Sequence, residues 1–382
     1  MKASNNNSNV EKTKFFSYKK ENLADGCKYC IKGEKSVLYI TGICPRNCFF
    51  CPTSEKKKNK DVKYINEQKF ETDKEMIEEI KLSKSKGVGI TGGDPLARLD
   101  RTVNAIKLLK KTFGKKFHIH LYTSPDLVTK EALTKLHTAG LDEIRFHPDL
   151  ENDKLWNKIL LAKEKSFKWL VGIEIPTIPD KEKETIKLIE KFNEVVDYFN
   201  FNELEISDLN ADEFIKRKYF PKDNISYAVT NSQKLGLKLL KIAKRGHFCT
   251  CKLKDRIQLG NRIIKRAESV MKNYDSITDE GMLVRGAIYI NVVPVKPYAQ
   301  LLKNINSKKE ITLLEKLKNE LIKTYRVPKN LIDIDKTKLR LLTTTGVVES
   351  LSKELKEKGN KYAVVTEYPT SDNMEVELEF LN

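Results

Sequence analysis

The sequence predicts an α/β protein: a partial, open parallel βα barrel of about six units, followed by a helical basic segment and a C-terminal α+β domain. Three observations carry this. Between residues 36 and 207, short β-branched runs alternate with helix-length amphipathic stretches, as a parallel sheet with crossover helices requires. Six such units are too few to close an eight-stranded barrel. After residue 207 the alternation stops, and a different strand and helix order begins near residue 280.

Each element has its own reason. Residues 1–24 are polar and Asn-rich and read as a flexible tail. "SVLYITG" (36–42) is a buried strand by pattern. "TDKEMIEEIKLSKSKG" (72–87) opens on the capping box Thr72-x-x-Glu75 and stops at Gly87, so it is a helix. "VGITGGD" (88–94) is a second strand running into a glycine turn. "KFHIHLYTS" (116–124), "LDEIRFHP" (141–148), "WLVGIEIPTIP" (169–179) and "YFNFNELEIS" (198–207) follow as strands, with helices near 101–113, 129–139, 152–166 and 181–195. This places a core domain at 25–207 and a helical, Cys-containing extension at 208–278. The α+β domain spans 279–382, with strands at 283–293, 331–343, 361–367 and 374–380 and helices at 297–325 and 347–358.

The chain of 382 residues carries a net charge of +18. That balance attracts polyanions, so RNA is a candidate partner. The lysines are spread along the whole chain, which fits solvated faces equally well. No apolar run approaches the ~18 residues of a membrane span, which argues against a membrane partner. The start "MKASNNNSNVEKTKFF" has no apolar signal region, so the expected location is cytoplasmic. There thiols stay reduced, and clustered cysteines bind metal more often than they form disulfides.

"GICPRNCFFCPTS" (42–54) holds three of the seven cysteines directly after the first strand. Sites in parallel α/β folds sit at the C-terminal ends of strands. Thiolates at intervals of four and three residues can wrap one iron–sulfur cubane through three irons and leave the fourth iron open to a chelating ligand. Pro45 and Pro52 stiffen the loop, and Phe49 and Phe50 give it apolar cover.

The run "CPRNCFFC", Cys-x-x-x-Cys-x-aromatic-Cys, resembles the radical S-adenosylmethionine (SAM) superfamily, and so does the turn Gly92-Gly93-Asp94-Pro95 after the second strand. The resemblance covers residues 26–207 and implies an enzyme with a [4Fe–4S] cluster on Cys44, Cys48 and Cys51. It implies that the open iron chelates the amino and carboxylate groups of SAM. Reduction then cleaves SAM to methionine and a 5′-deoxyadenosyl radical that abstracts hydrogen from a substrate. It implies that Phe50 packs near adenine and that Gly92, Gly93 and Asp94 hold the methionine end. The superfamily commonly has Glu where Asp94 stands, and the shorter side chain alters that contact. By topology the pocket is completed by Tyr122, Thr123 and Ser124, by His147, and by Glu174 or Pro176. An electron donor such as ferredoxin or flavodoxin is implied.

Four cysteines remain: Cys27 and Cys30 in "GCKYC", and Cys249 and Cys251 in "HFCTC". Together they make a complete set for one metal site, zinc or a second [4Fe–4S] cluster. His247 is an alternative ligand. An electron-handling enzyme favours the cluster, and spacing alone leaves zinc open.

"GCKYC…SVLYITGICPRNCFFCP" with "HFCTCKLKDRIQL" resembles an archaeal group related to the pyruvate formate-lyase-activating enzyme. Three functions compete. RNA modification is favoured by the charge and by "KLKDRIQLGNRIIKRAE" (252–268), where Arg256, Arg262, Lys265 and Arg266 could meet phosphates. Glycyl-radical activation or peptide modification is the second. A non-enzymatic metal-cluster protein binding nucleic acid is the third.

Overall fold

The alternating pattern is realised as a mostly parallel sheet. A computed structural model describes residues 9–294 and 306–381. The chain runs through β1 (Glu11–Lys12), β2 (Tyr18–Lys20), β3 (Lys35–Tyr39), the small hairpin β4 (Tyr64–Ile65) and β5 (Gln68–Lys69), β6 (Gly87–Thr91), β7 (His118–Thr123), β8 (Glu143–Phe146), β9 (Leu170–Thr177) and β10 (Tyr198–Glu203). A separate hairpin, β11 (Pro221–Asp223) and β12 (Ser226–Val229), precedes β13 (Gly246–Cys249). The sheet order is β1-β2-β13-β10-β9-β8-β7-β6-β3-β4-β5. From β3 to β13 every pairing is parallel, and the two edges do not pair, so the barrel is open.

Period-two alternation splits the strands chemically. Val88, Ile90, Ile119, Leu121, Ile144, Phe146, Val171, Ile173, Phe199, Phe201 and Phe248 belong to one apolar core with the crossover helices. The residues between them, among them His118, His120, Tyr122, Glu143, Arg145, Glu174, Tyr198, Asn200 and His247, make the other face polar. The helix Asp25–Ile31 lies against that polar face. At Gly26 a Cβ would fall 2.4 Å from Arg145 and 2.7 Å from His120, so only glycine allows this approach.

The structure departs from the sequence reading in several places. The expected tail is ordered over residues 9–24: β2 pairs with β13, and Ser17 is buried. Residues 1–8 lie outside the described residues. The segment 208–278 is not all helix, because β13 joins the sheet as a seventh parallel strand beside β10. Its apolar content is only Phe248 and flanking cysteines, too short a signal to read as a strand. The expected helix at 152–166 is a 3₁₀ helix, Asp153–Lys163. The capping box forms as expected, with Thr72 and Glu75 exchanging both hydrogen bonds.

The chain divides into two compact units between Arg262 and Ile263. The second is an antiparallel sheet, β14 (Ser276–Ile277), β15 (Leu283–Tyr289), β16 (Ile332–Asp335), β17 (Arg340–Thr343), β18 (Lys361–Glu367) and β19 (Glu375–Phe380). Helices Ser307–Lys323, Thr345–Ser350 and Ser352–Glu357 pack on it through Leu314, Leu317, Leu321, Val348 and Leu355. The single strand expected at 331–343 is the hairpin β16–β17. Of the helix expected at 297–325, residues 297–305 lie outside the described residues. Among the described residues no helix is long and apolar enough to cross a membrane.

Candidate radical SAM site

The loop after β3 is held rigidly before any ligand is considered. The backbone of Gly42 donates to Lys60 and accepts from Asn59, and a Cβ on Gly42 would lie 1.7 Å from the Lys57 carbonyl oxygen. The backbone N–H groups of Gly93 and Asp94 donate to the carbonyls of Thr41 and Ile43. At Gly92, φ is +156° and a Cβ would meet Thr41 O at 2.4 Å. These glycines therefore serve the close approach of the β6 turn to the cysteine loop. Asp61 ties the other end, accepting from Thr41 at 2.8 Å and from Arg101 at 2.6 Å.

A cavity of about 460 Å³ opens at the C-terminal ends of the strands. Cys44, Cys48, Cys51, Phe50, Gly92, Gly93, Asp94, Tyr122, Thr123, Ser124, His147, Glu174 and Pro176 all line it. The structure thus brings together all the residues expected from the first motif and from the later strand ends. The three thiols are free and partly exposed. Burial pushes Cys44 up to about 11, although the Arg46 N–H donates to its sulfur at 3.5 Å. Three soft thiols on one cavity of this size suit an iron–sulfur cluster with a nucleoside-sized ligand beside it.

Asp94 is held by donors from the β6 and β7 ends. It is 1% exposed, and its carboxylate accepts from Leu96 N, Thr123 Oγ1, Ser124 N and Ser124 Oγ at 2.7–3.1 Å. It therefore positions Ser124 and the β6 and β7 ends toward the cavity, with its acceptors already filled. Phe50 stands beside His147, with ring centroids 5.6 Å apart. His147 Nδ1 lies 3.0 Å from the Glu174 carbonyl oxygen. Burial, reinforced by Arg46, lowers the His147 imidazole to about 4, so it is neutral near pH 7.

Several residues that line the cavity or stand directly behind its wall escaped the sequence reading. Arg46 donates to the His147 carbonyl at 2.7 Å. Arg145 donates to Glu174 at 2.7 Å, to Glu143 at 2.5 Å and to the Tyr122 hydroxyl at 3.2 Å. Asn202 donates to Glu174 at 3.0 Å, and Lys254 pairs with Glu205. The strands "HIHLY" and "EIRFH" alternate polar with apolar residues, which is the signal that could have found Arg145 and Glu143.

The second cysteine group lies elsewhere. Cys27 and Cys30 are on the helix Asp25–Ile31, while Cys249 ends β13 and Cys251 opens the next helical turn. His247 is buried, bonded through Nδ1 to Asn200 at 3.0 Å, and its Nε2 has no partner. The basic segment does not form an exposed stripe. Arg256 is exposed, but Arg262 reaches toward the Lys35 carbonyl, Lys265 is partly covered and Arg266 is buried. Among the described residues, the set of three metal-type ligand atoms within 4.8 Å is His118, His120 and Glu143. Arg145 and Lys35 contact this set, which opposes a cation there.

The chain has relatives among known proteins. Residues 38–195 match the family described as the radical SAM superfamily, and 281–379 match a domain of unknown function, DUF8061. The chain is 46% identical over 308 residues to "Putative glycyl-radical enzyme activating enzyme MJ0021" of Methanocaldococcus jannaschii, covering 77% of this chain and 81% of that one. Among solved structures, the radical SAM methyltransferase TsrM of Kitasatospora setae, with tryptophan and a SAM analogue, shares 12% identity at a TM-score of 0.36. That match covers 50% of this chain and 41% of the methyltransferase, less than half of its length.

Proposed function

The chain belongs to the radical SAM superfamily, in the family of the M. jannaschii relative, and on that premise we propose that it activates a glycyl-radical protein by taking one hydrogen atom from a glycine α-carbon. The observation that carries this reading is the 46% identity, over most of both chains, to a relative bearing that name. The family's [4Fe–4S] cluster and SAM, when bound, supply the one-electron cleavage that makes the hydrogen-abstracting 5′-deoxyadenosyl radical.

The chain's own residues supply position and exclusion of water. Cys44, Cys48 and Cys51 would hold the cluster. Phe50 and the neutral His147 ring would flank the nucleoside. Ser124, set by Asp94, and the backbone of the Gly92–Gly93 turn would orient the methionine end. Asn202, Glu203, Glu205 and Lys254 line the cavity beyond these positions and are left to meet the substrate. A partner polypeptide would present its glycine there as an extended loop, and a low-potential donor such as ferredoxin or flavodoxin would supply the electron. RNA has no support from the relatives, Arg262 reaches toward the Lys35 carbonyl and Arg266 is buried.

The test is anaerobic incubation of the reduced, reconstituted enzyme with SAM and a glycyl-radical protein from the same genome. The expected result is a glycyl-radical resonance matched by one 5′-deoxyadenosine per radical, both lost in Cys48→Ala. Steady 5′-deoxyadenosine formation on a nucleic acid, with no radical on any glycyl protein, would sink the reading.

A further inference from the structure

We propose that Cys27, Cys30, Cys249 and Cys251 hold a second [4Fe–4S] cluster, set behind the wall of the cavity that carries the first three cysteines. The assignment does not depend on the identity of the substrate.

The fold brings the helix that bears Cys27 and Cys30 beside Cys249, and Cys251 follows two residues on. Cys27 and Cys30 stand three positions apart on the helix Asp25–Ile31, hence on one face. That helix packs on the segment after β13. Asn261 donates to the Ile31 carbonyl at 2.8 Å, and Ile31, Cys249 and Leu253 share one apolar cluster. Gly33, with φ +65°, approaches Asn261 and Arg262 so closely that a Cβ would lie 2.6 Å from their backbone. Cys249 lies within electrostatic reach of Cys30. Thr250, between the other two cysteines, turns its hydroxyl to the Phe16 carbonyl at 2.6 Å.

All four thiols are free, three are buried and Cys30 is half-buried. No disulfide accounts for them. Cluster thiolates need N–H donors and compensating positive charge, and both are present. Arg145 donates to Cys27 and Gln258 to Cys249, each at 3.6 Å. Arg145 and Lys35 act on Cys30, and Lys254 acts on Cys249 and Cys251. Glu174, Glu205 and Lys254, which line the first cavity, are also electrostatic neighbours of Cys249.

Four thiolates suit either zinc or a cubane. The one-electron chemistry of the neighbouring cavity favours the cluster, and iron content decides between the two.

The experiment uses the full chain, purified and reconstituted anaerobically with iron and sulfide. The wild type should carry about eight irons, and a Cys44→Ala, Cys48→Ala, Cys51→Ala variant about four. Adding Cys249→Ser and Cys251→Ser to that triple variant should remove the rest. A folding failure of the combined variant is bypassed by paramagnetic resonance of the reduced wild type. Two cluster signals are expected there, and SAM should shift only one. A triple variant without iron, or with one zinc in its place, would overturn the assignment. So would a wild type showing four irons and one signal. Iron content does not depend on glycyl-radical formation, so this result and the proposed reaction fail separately.

Discussion

Arg145 in the parallel sheet and Arg340 in the C-terminal sheet are both buried and both held by glutamates, yet their networks are built differently. Arg340 donates to Glu367 at 2.5 Å, to Glu375 at 2.9 Å and to Asp335 at 3.0 Å. Arg285 and Lys338 join at Glu367, itself 0% exposed, and Arg285 also pairs with Asp275 at 2.7 Å. Arg145 spends one end on Glu143, which also accepts from Tyr198 at 2.5 Å and from the Gly26 backbone at 3.2 Å. Burial works against the Glu143 charge, and Arg145 with His118 outweighs it, leaving the carboxyl well below its ordinary range. Its other end reaches Glu174 and Tyr122, which line the cavity. The C-terminal network ties strands and the β18–β19 turn of one sheet together. The Arg145 network carries the order of the barrel floor to the ligand wall.

The largest effect should separate the two. Removing one partner of a buried pair costs about 3–5 kcal/mol. Arg145→Met and Glu367→Ala should each lose that much in denaturant melts. Only Arg145→Met should also weaken SAM binding in anaerobic calorimetry. A loss of SAM affinity in Glu367→Ala at unchanged cluster content would break the distinction.

Acid should act on the first unit through His247. Burial, with Arg145 adding, lowers its imidazole to about 3. The folded protein keeps it neutral, while the unfolded chain protonates near pH 6.5. Stability is therefore full above about pH 6.5 and falls as pH drops toward 3, by a few kcal/mol. His247→Gln should flatten that part of the stability–pH curve. An unchanged curve would show that the imidazole titrates normally.

Asp94→Asn gives the smaller effect. It removes a charge from an acceptor serving Thr123 and Ser124, worth about 1.5–3 kcal/mol, or roughly ten- to a hundredfold in SAM affinity. Iron content should stay at the wild-type value. Because Asp94 acts by placing Ser124, Ser124→Ala should cost SAM affinity as well, and the double variant should cost less than the sum of the two. Full additivity would mean that the two act independently.

Much of the site was legible because its chemistry is local. Three cysteines within eight residues, after a strand, share one loop whatever the rest of the chain does. Gly92, Gly93 and Asp94 announce a turn, and strand ends in a parallel sheet converge by topology, so Tyr122, Ser124, His147 and Glu174 could be placed on one rim. The role of Asp94 was not legible, because a carboxylate's donors come from wherever the neighbouring strand puts them. The N-terminal strands and β13 were also hidden: β2 has three residues and β13 four, too few for any period to show.

The sequence by itself determined the parallel order of βα units, the loop that carries Cys44, Cys48 and Cys51, and a separate α+β region after them. Each follows from short-range patterning that any fold of this chain must respect. Only the tertiary structure decided that β13 would extend the sheet and that Arg145 would join the barrel floor to the cavity wall. It alone brought the helix bearing Cys27 and Cys30 to Cys249, more than 200 positions away. Those outcomes depend on which faces meet across the sheet. Pairing energy between distant segments sets this, and no local window of residues contains it.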